Sequence, residues 1–422
     1  MTVTTPAGTT TAGVSAQYLY TQQGPYTPVA PYRICDTRTG NSTPCTGQIL
    51  VSGGSLDVQV AGTEPPGSTV GGVPSDATAA VLNVTAVGPT NSGYLTVYPT
   101  GTTRAFASSL NFVAGQTVAN LVTVALGVNG QVTVFNSMGM TNVVVDVEGY
   151  ISASSGSNYT PITPLRICDT RTSNPSSLTG AFAQCNAKTL AAKVPLAVQV
   201  TGLGSIPASA SGVVMNVTVT SPHASGYLTV YPAGESPPLA SNVDFSAGQT
   251  IPNGAAVKLP ASGAIDIVSN TSTNVILDVE GYYSTSGSTY IPIAPERIAD
   301  TRCSATPTPS YCQAEQLPPQ NQGLSAVGTG GMISLVTGGI NSIPLSATAV
   351  GLNVTVTSTA SSSFLTVYPA GSTRPTASSL NWVKGATVAN VVIAPVGSNG
   401  TVEIYNYSGS TDVVVDIEGY YS

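Results

Sequence analysis

Val143-Val-Val-Asp-Val-Glu-Gly-Tyr150 recurs as Val275-Ile-Leu-Asp-Val-Glu-Gly-Tyr282 and again as Val413-Val-Val-Asp-Ile-Glu-Gly-Tyr420. Its apolar positions alternate. Val143, Val145 and Val147 fall on one side and Val144, Asp146, Glu148 and Tyr150 on the other, the period of two that marks a β-strand. Upstream of each copy lie three more shared blocks. Arg33-Ile-Cys-Asp-Thr-Arg38 matches Arg166-Ile-Cys-Asp-Thr-Arg171 and Arg297-Ile-Ala-Asp-Thr-Arg302. Leu82-Asn-Val-Thr85 matches Met215-Asn-Val-Thr218 and Leu352-Asn-Val-Thr355, and Tyr94-Leu-Thr-Val-Tyr-Pro99 matches Tyr227-Leu-Thr-Val-Tyr-Pro232 and Phe364-Leu-Thr-Val-Tyr-Pro369. The copies recur roughly every 130 residues, too far apart for a solenoid coil, so each unit has the size of a domain.

The segments are short, rich in Val, Thr and Tyr, and bounded by Gly, Pro, Asn and Ser; no convincing helix is present. Seven or so strands per unit predict an all-β protein of three tandem antiparallel β-sandwich domains, Ig-like or jelly-roll-like, with an extended N-terminal arm. The expected bounds are 1–25 for the arm and 26–153, 159–284 and 290–422 for the sandwiches.

Composition excludes whole classes of function. Charged residues are 7% of the 422, with 12 Lys plus Arg against 19 Asp plus Glu and a net charge of -7. A nucleic-acid partner needs a basic stripe that so few cations cannot supply. Any histidine-dependent zinc or triad chemistry would rest on His223 alone, which sits in a turn matched by Asn91-Ser-Gly93 in the first unit, has no histidine counterpart in the sister units and reads as an exposed loop residue. No apolar stretch is long enough to span a bilayer as a helix. Met1 to Gly13 has neither a basic start nor an apolar core, so it does not read as a signal peptide.

The six cysteines fall two per unit: Cys35 and Cys45, Cys168 and Cys185, Cys303 and Cys312. In the third unit Ala299 replaces the first Cys while Cys303 appears just beyond, so the pair has moved as a pair. That predicts three local disulfides, each contributing about 3 kcal/mol, and an oxidising, extracellular or cell-surface location.

Half of the cations and nearly half of the acids lie in the repeated blocks. Arg33, Asp36, Arg38, Asp146 and Glu148 in the first unit, Arg166, Asp169, Arg171, Asp278 and Glu280 in the second, and Arg297, Asp300, Arg302, Asp416 and Glu418 in the third are expected to form structural ion-pair clusters joining first strand to last. The alternatives are a Ca2+ site or a catalytic carboxylate pair, since Asp146 and Glu148 share a strand face. The accompanying arginines weigh against both, and no catalytic residue, metal or cofactor is assigned. Tyr94, Tyr98, Tyr227 and Tyr231 recur at strand spacing and read as sheet packing, with sugar stacking as the alternative. Among the Asn-x-Ser/Thr sequons, Asn83, Asn216 and Asn353 sit mid-strand, whereas Asn41, Asn158, Asn270 and Asn406 fall in loop-like contexts and are the glycan candidates.

Ahead of the first unit, Gln17-Tyr-Leu-Tyr20 occupies the place that Gly281-Tyr-Tyr-Ser284 occupies ahead of the third. Val14, Ala16, Tyr18 and Tyr20 alternate like a strand. The expectation is an orphan strand that adds to a sheet edge of a second copy, a head-to-tail contact that grows into a filament.

The four blocks together resemble a repeat of secreted bacterial proteins that occurs in tandem or appended to extracellular hydrolases, and resemble subunits of bacterial extracellular fibrils built from such repeats. The resemblance covers nearly the whole chain after residue 25 and implies a β-sandwich unit without an assigned activity. The expected function is a structural subunit of an extracellular filament whose partner is itself. A secreted carbohydrate-binding or adhesion module, with glycans as partners, is the alternative, and an enzyme such as a glycosidase is set aside.

Overall fold

The computed structural model describes residues 2–5, 8–11, 24–68, 71–313, 315 and 317–422. Strands β1 (Thr2–Thr5) and β2 (Gly8–Thr11) pair with each other as a separate two-stranded sheet. The first repeat then runs β3 (Tyr26–Asp36), β4 (Ser55–Gln59), β5 (Ala79–Val87), β6 (Gly93–Pro99), β7 (Leu110–Phe112), β8 (Thr117–Ala125), β9 (Gln131–Asn136) and β10 (Asn142–Ile151). These form two antiparallel four-stranded sheets, ordered β3-β10-β5-β8 and β4-β9-β6-β7. The second repeat, Asn158–Asp169 to Asn274–Ser284, and the third, Tyr290–Asp300 to Asp412–Tyr421, build the same two sheets in the same order. Helix is confined to short 3-10 turns among the described residues.

The expected three tandem sandwiches, Ig-like or jelly-roll-like, are overturned. The six small sheets form one six-bladed β-propeller, two blades per repeat. The reason lies in what the second face of each strand meets. A sheet of a separate sandwich hides one face and shows water the other, but β5 is buried along nearly its whole length on both faces. Leu82, Val84 and Ala86 join the core shared by the two blades of their repeat, whereas Asn83 and Thr85 face the next repeat.

Three apolar clusters result. One is continuous through the first two repeats, one fills the third, and one lies where the first blades of all three repeats meet. This last cluster is ringed by Tyr26, Tyr159, Tyr283, Tyr290 and Tyr421, with Ile151 in the sixth place. The rings pack in a chain: Tyr26 on Tyr283 at 4.3 Å, Tyr283 on Tyr159 at 5.1 Å, Tyr159 on Tyr421 at 4.3 Å and Tyr421 on Tyr290 at 5.0 Å.

The repeated Glu-Gly-Tyr ending has a local cause. A register shift lies between Val147 and Gly149 on both sides of β10. The Tyr26 ring lies directly over Gly149, and Tyr159 and Tyr290 lie likewise over Gly281 and Gly419, so a Cβ at these glycines would collide with the phenol. The shift also corrects the alternation expected for this strand. Tyr150 falls on the core side with Val147, and Ile151 turns towards the junction of the three repeats.

The ring closes within one chain. Ser157 pairs with Tyr26 and Ser288 with Tyr159, each serine lying two places before the tyrosine that opens its own repeat and bonding back to the previous one. Gly24, two places before Tyr26, pairs with Tyr290 through two 3.3 Å backbone hydrogen bonds. A Cβ on Gly24 would lie 2.6 Å from the Ser152 carbonyl oxygen, so this close approach needs glycine. Val14, Ala16, Tyr18 and Tyr20, expected to form the assembly strand, lie outside the described residues.

Candidate functional site

The repeats are braced internally by arginine–aspartate pairs, and the joints between them hold buried glutamates and asparagines. Within the first repeat, the Arg33 guanidinium grips Asp146 with two bonds of 2.8 and 3.0 Å, and Arg38 grips Asp36 at 2.9 and 2.6 Å. Arg166 holds Asp278 at 2.8 Å twice, and Arg171 holds Asp169 at 2.9 and 2.6 Å. Arg297 holds Asp416 at 2.8 and 3.2 Å, and Arg302 closes on Asp300. The Arg–Asp pairs thus tie first strand to last within each repeat or brace the turn that follows. The third repeat adds Glu315, 2.8 Å from Arg297, a residue outside any repeated block and so invisible to a comparison of repeats.

Glu148, Glu280 and Glu418 are expected from the sequence in these same clusters, and the structure corrects this: each reaches across to the next repeat. Glu148 accepts from the Ala256 backbone N–H at 2.7 Å and the Asn242 side chain at 2.6 Å. Glu280 accepts from Ile393 N–H at 3.0 Å and Glu418 from Thr123 N–H at 3.1 Å. Burial without a facing cation pushes all three carboxyls up to about 8. Burial pushes Asp36 and Asp169 up as well, but the hydrogen bonds and charge of their arginines outweigh it and leave both below the usual carboxylate range.

A ladder of asparagines runs beside the glutamates. Asn83 donates to the Ser241 carbonyl and accepts from Asn253 at 2.8 Å. Asn216 donates to Ser378 and accepts from Asn390 at 2.9 Å, and Asn353 donates to Ser108 and accepts from Asn120 at 2.9 Å. Asn253, Asn390 and Asn120 then accept from Leu121, Gly254 and Val391 N–H at 3.0, 3.1 and 3.2 Å. Each set links one repeat to the next, and the third returns to the first. Asn120, Asn253 and Asn390 escape a reading of the repeated blocks. The signal that could find them is a polar residue at one place in an otherwise apolar strand, three times over.

Two clefts open at the outer end of these joints. One lies between the first and second repeats, about 230 Å³, with Arg33, Arg38, Thr85, Tyr227, Leu239 and Asp244 among its walls. The other, also about 230 Å³, lies between the third and first repeats and presents Arg297, Arg302, Thr355, Tyr94, Phe106 and Asn111 at the matching places. They differ chemically. Asn111 reaches the Thr355 hydroxyl at 3.4 Å. Asp244 accepts from Ser241 Oγ at 3.0 Å, and among the described residues Thr85 Oγ1 has no partner, as holds also for its counterpart Thr218. Burial raises the Asp244 carboxyl to about 6.

Disulfides join Cys35 to Cys45, Cys168 to Cys185 and Cys303 to Cys312, consistent with an oxidising, extracellular setting. Cys303, Cys312 and Glu315 come together, but both sulfurs are committed to a disulfide and offer no thiolate to a metal. Among the described residues no helix is long and apolar enough to cross a membrane. Of the glycan candidates, Asn41 is exposed, while Asn158 and Asn270 are half-buried. Asn406 is fully buried, its amide donating to the Val327, Gly328 and Gly409 carbonyls, so in the folded chain it has no room for a glycan.

No family model matches the chain, and no curated protein matches it significantly. Among solved structures, one described as the triple jelly roll fold and turret assembly of an archaeal virus is 10% identical, with 94% of this chain and 90% of that one covered at a TM-score of 0.17. A structure of Sulfolobus Turreted Icosahedral Virus is 9% identical, with 86% and 84% covered at a TM-score of 0.15. At such scores neither carries an argument about this protein.

Proposed function

We propose that this chain is a structural subunit of an extracellular filament, joined head-to-tail through the segment that precedes Gly24. The observation that carries the reading is the closure of the ring at Gly24–Tyr290. The six blades are complete without the preceding residues, and the β1–β2 hairpin belongs to none of them. A lone two-stranded hairpin is marginal in water, and its open edges suit pairing with a sheet edge of a second copy. Strands that end their sheets, such as Ser55–Gln59 and Met332–Val336, are the natural acceptors.

A chain with only 7% charged residues favours association, and the three disulfides suit life outside the cell. The role is structural rather than catalytic: the repeated aspartates are held by arginines and the repeated glutamates are sealed between repeats. Electron microscopy and sedimentation of the full chain and of a chain starting at Gly24 test this. Filaments from the full chain and monomers from the shortened one are expected. Monomers from both, or filaments from both, overturn it.

A further inference from the structure

We propose that the cleft between the first and second repeats binds a neutral sugar residue, with Thr85, Asp244 and Arg38 meeting its hydroxyls and Tyr227 and Leu239 covering its apolar face. The first observation is the Thr85 hydroxyl. Thr85 is 2% exposed and lines the cleft, yet its Oγ1 makes no hydrogen bond among the described residues. A buried hydroxyl left unpaired is costly, and a ligand hydroxyl satisfies it as donor or acceptor. In the matching cleft the equivalent Thr355 already has Asn111.

The second observation is the charge of the walls. Arg33 and Arg38 are held by Asp146 and Asp36, and Asp244 adds a carboxyl on the opposite wall. An anionic ligand meets Asp244, a cationic one meets the arginines, and an apolar one leaves Thr85 unpaired. A polyhydroxylated neutral ring avoids all three penalties.

The third is the mouth. Tyr227 is 44% exposed and Leu239 82% exposed at the cleft, giving an aromatic and an aliphatic surface to the C–H face of a pyranose. The volume, about 230 Å³, suits one sugar unit, such as a chain end or a branch, rather than a long oligosaccharide. This proposal is independent of filament assembly.

The test is titration of the intact protein with the methyl glycosides of glucose, galactose, mannose and N-acetylglucosamine, read by saturation-transfer NMR and calorimetry. At least one is expected to bind saturably, and Tyr227→Ala to weaken it about tenfold or more, the scale of one lost aromatic face. Thr85→Val, nearly the same shape, weakens it without changing the melting temperature, whereas Tyr94→Ala in the matching cleft leaves it unchanged. Absence of saturable binding by all four glycosides overturns the proposal. So does binding indifferent to Tyr227→Ala, a side chain exposed enough to be trimmed without unfolding, or binding lost through Tyr94→Ala instead.

Discussion

Two of the three joints are bridged by the polypeptide, and the third, between the last repeat and the first, is not. They are nevertheless built alike. Glu148 binds Ala256 in a bridged joint and Glu418 binds Thr123 in the unbridged one, and the Asn83–Asn253 and Asn353–Asn120 pairs repeat the match. Chain connectivity therefore does not hold the ring. A ladder of buried side-chain-to-backbone hydrogen bonds does, and Gly24 supplies at the open joint the backbone bridge that Ser157 and Ser288 supply elsewhere. The comparison also shows where the joints are not equivalent: the clefts at their outer ends differ at Asp244 and Asn111, and at Leu239 and Phe106.

Acidity should act on all three joints at once and has the largest expected effect. An unfolded glutamate releases its proton near 4.5, whereas Glu148, Glu280 and Glu418 hold theirs to about 8 when folded. Between those values the folded state binds more protons, so stability falls as pH rises from about 4.5 towards 8. Below that window the lowered Asp36 and Asp169 reverse the trend, because protonating them releases their arginines. Urea unfolding at a series of pH values is expected to show maximal stability in mildly acidic buffer. Glu148→Gln and Glu418→Gln should flatten the alkaline decline equally; a much larger effect of Glu418→Gln would show that the unbridged joint opens first.

Next in size is Asp416→Ala, which leaves Arg297 without its bidentate partner. A stranded buried charge costs about 3–5 kcal/mol, although Glu315 at 2.8 Å offsets part of the loss. Asp146→Ala, after which Arg33 keeps Asp36 at 3.4 Å as its one ion-pair partner among the described residues, is therefore the more damaging of the two by chemical denaturation. Equal losses would mean that Glu315 contributes nothing.

Gly24→Val is confined to the unbridged joint. Its Cβ meets the Ser152 carbonyl, and forced overpacking costs about 1–3 kcal/mol. Faster hydrogen exchange at Tyr290 N–H, with no change at Tyr159 N–H, is the expected signature. Smallest is Phe106→Ala, which removes a ring 5.5 Å from the Arg297 guanidinium and about 0.5–1 kcal/mol of cation–π attraction. Leu239→Ala in the other cleft, at an exposed site with no such contact, should stay within about 0.5 kcal/mol of the parent.

Much of the molecule is legible in the order of its residues. The alternation in Val143 to Val147 marks a strand, and the shared move of Ala299 and Cys303 marks a local disulfide. The pairing of Arg38 with Asp36 needs only two residues' separation and a bend. The opaque parts are those that depend on what lies across a gap. Glu148 and Asp146 look alike in sequence, yet Asp146 is neutralised by Arg33 while Glu148 accepts from a backbone N–H 108 residues away. Asn406 reads as a loop sequon until three carbonyls are seen to surround it.

The amino-acid sequence by itself determined the strands, the threefold recurrence and the short-range covalent and ionic ties, because each arises from neighbours within a few positions or from periodicity along one chain. Closure into a propeller, the ownership of the second face of β5 and the difference between the two clefts were decided only in three dimensions. A side chain that is polar and buried states that it needs a partner, and only the folded arrangement of distant segments says which one.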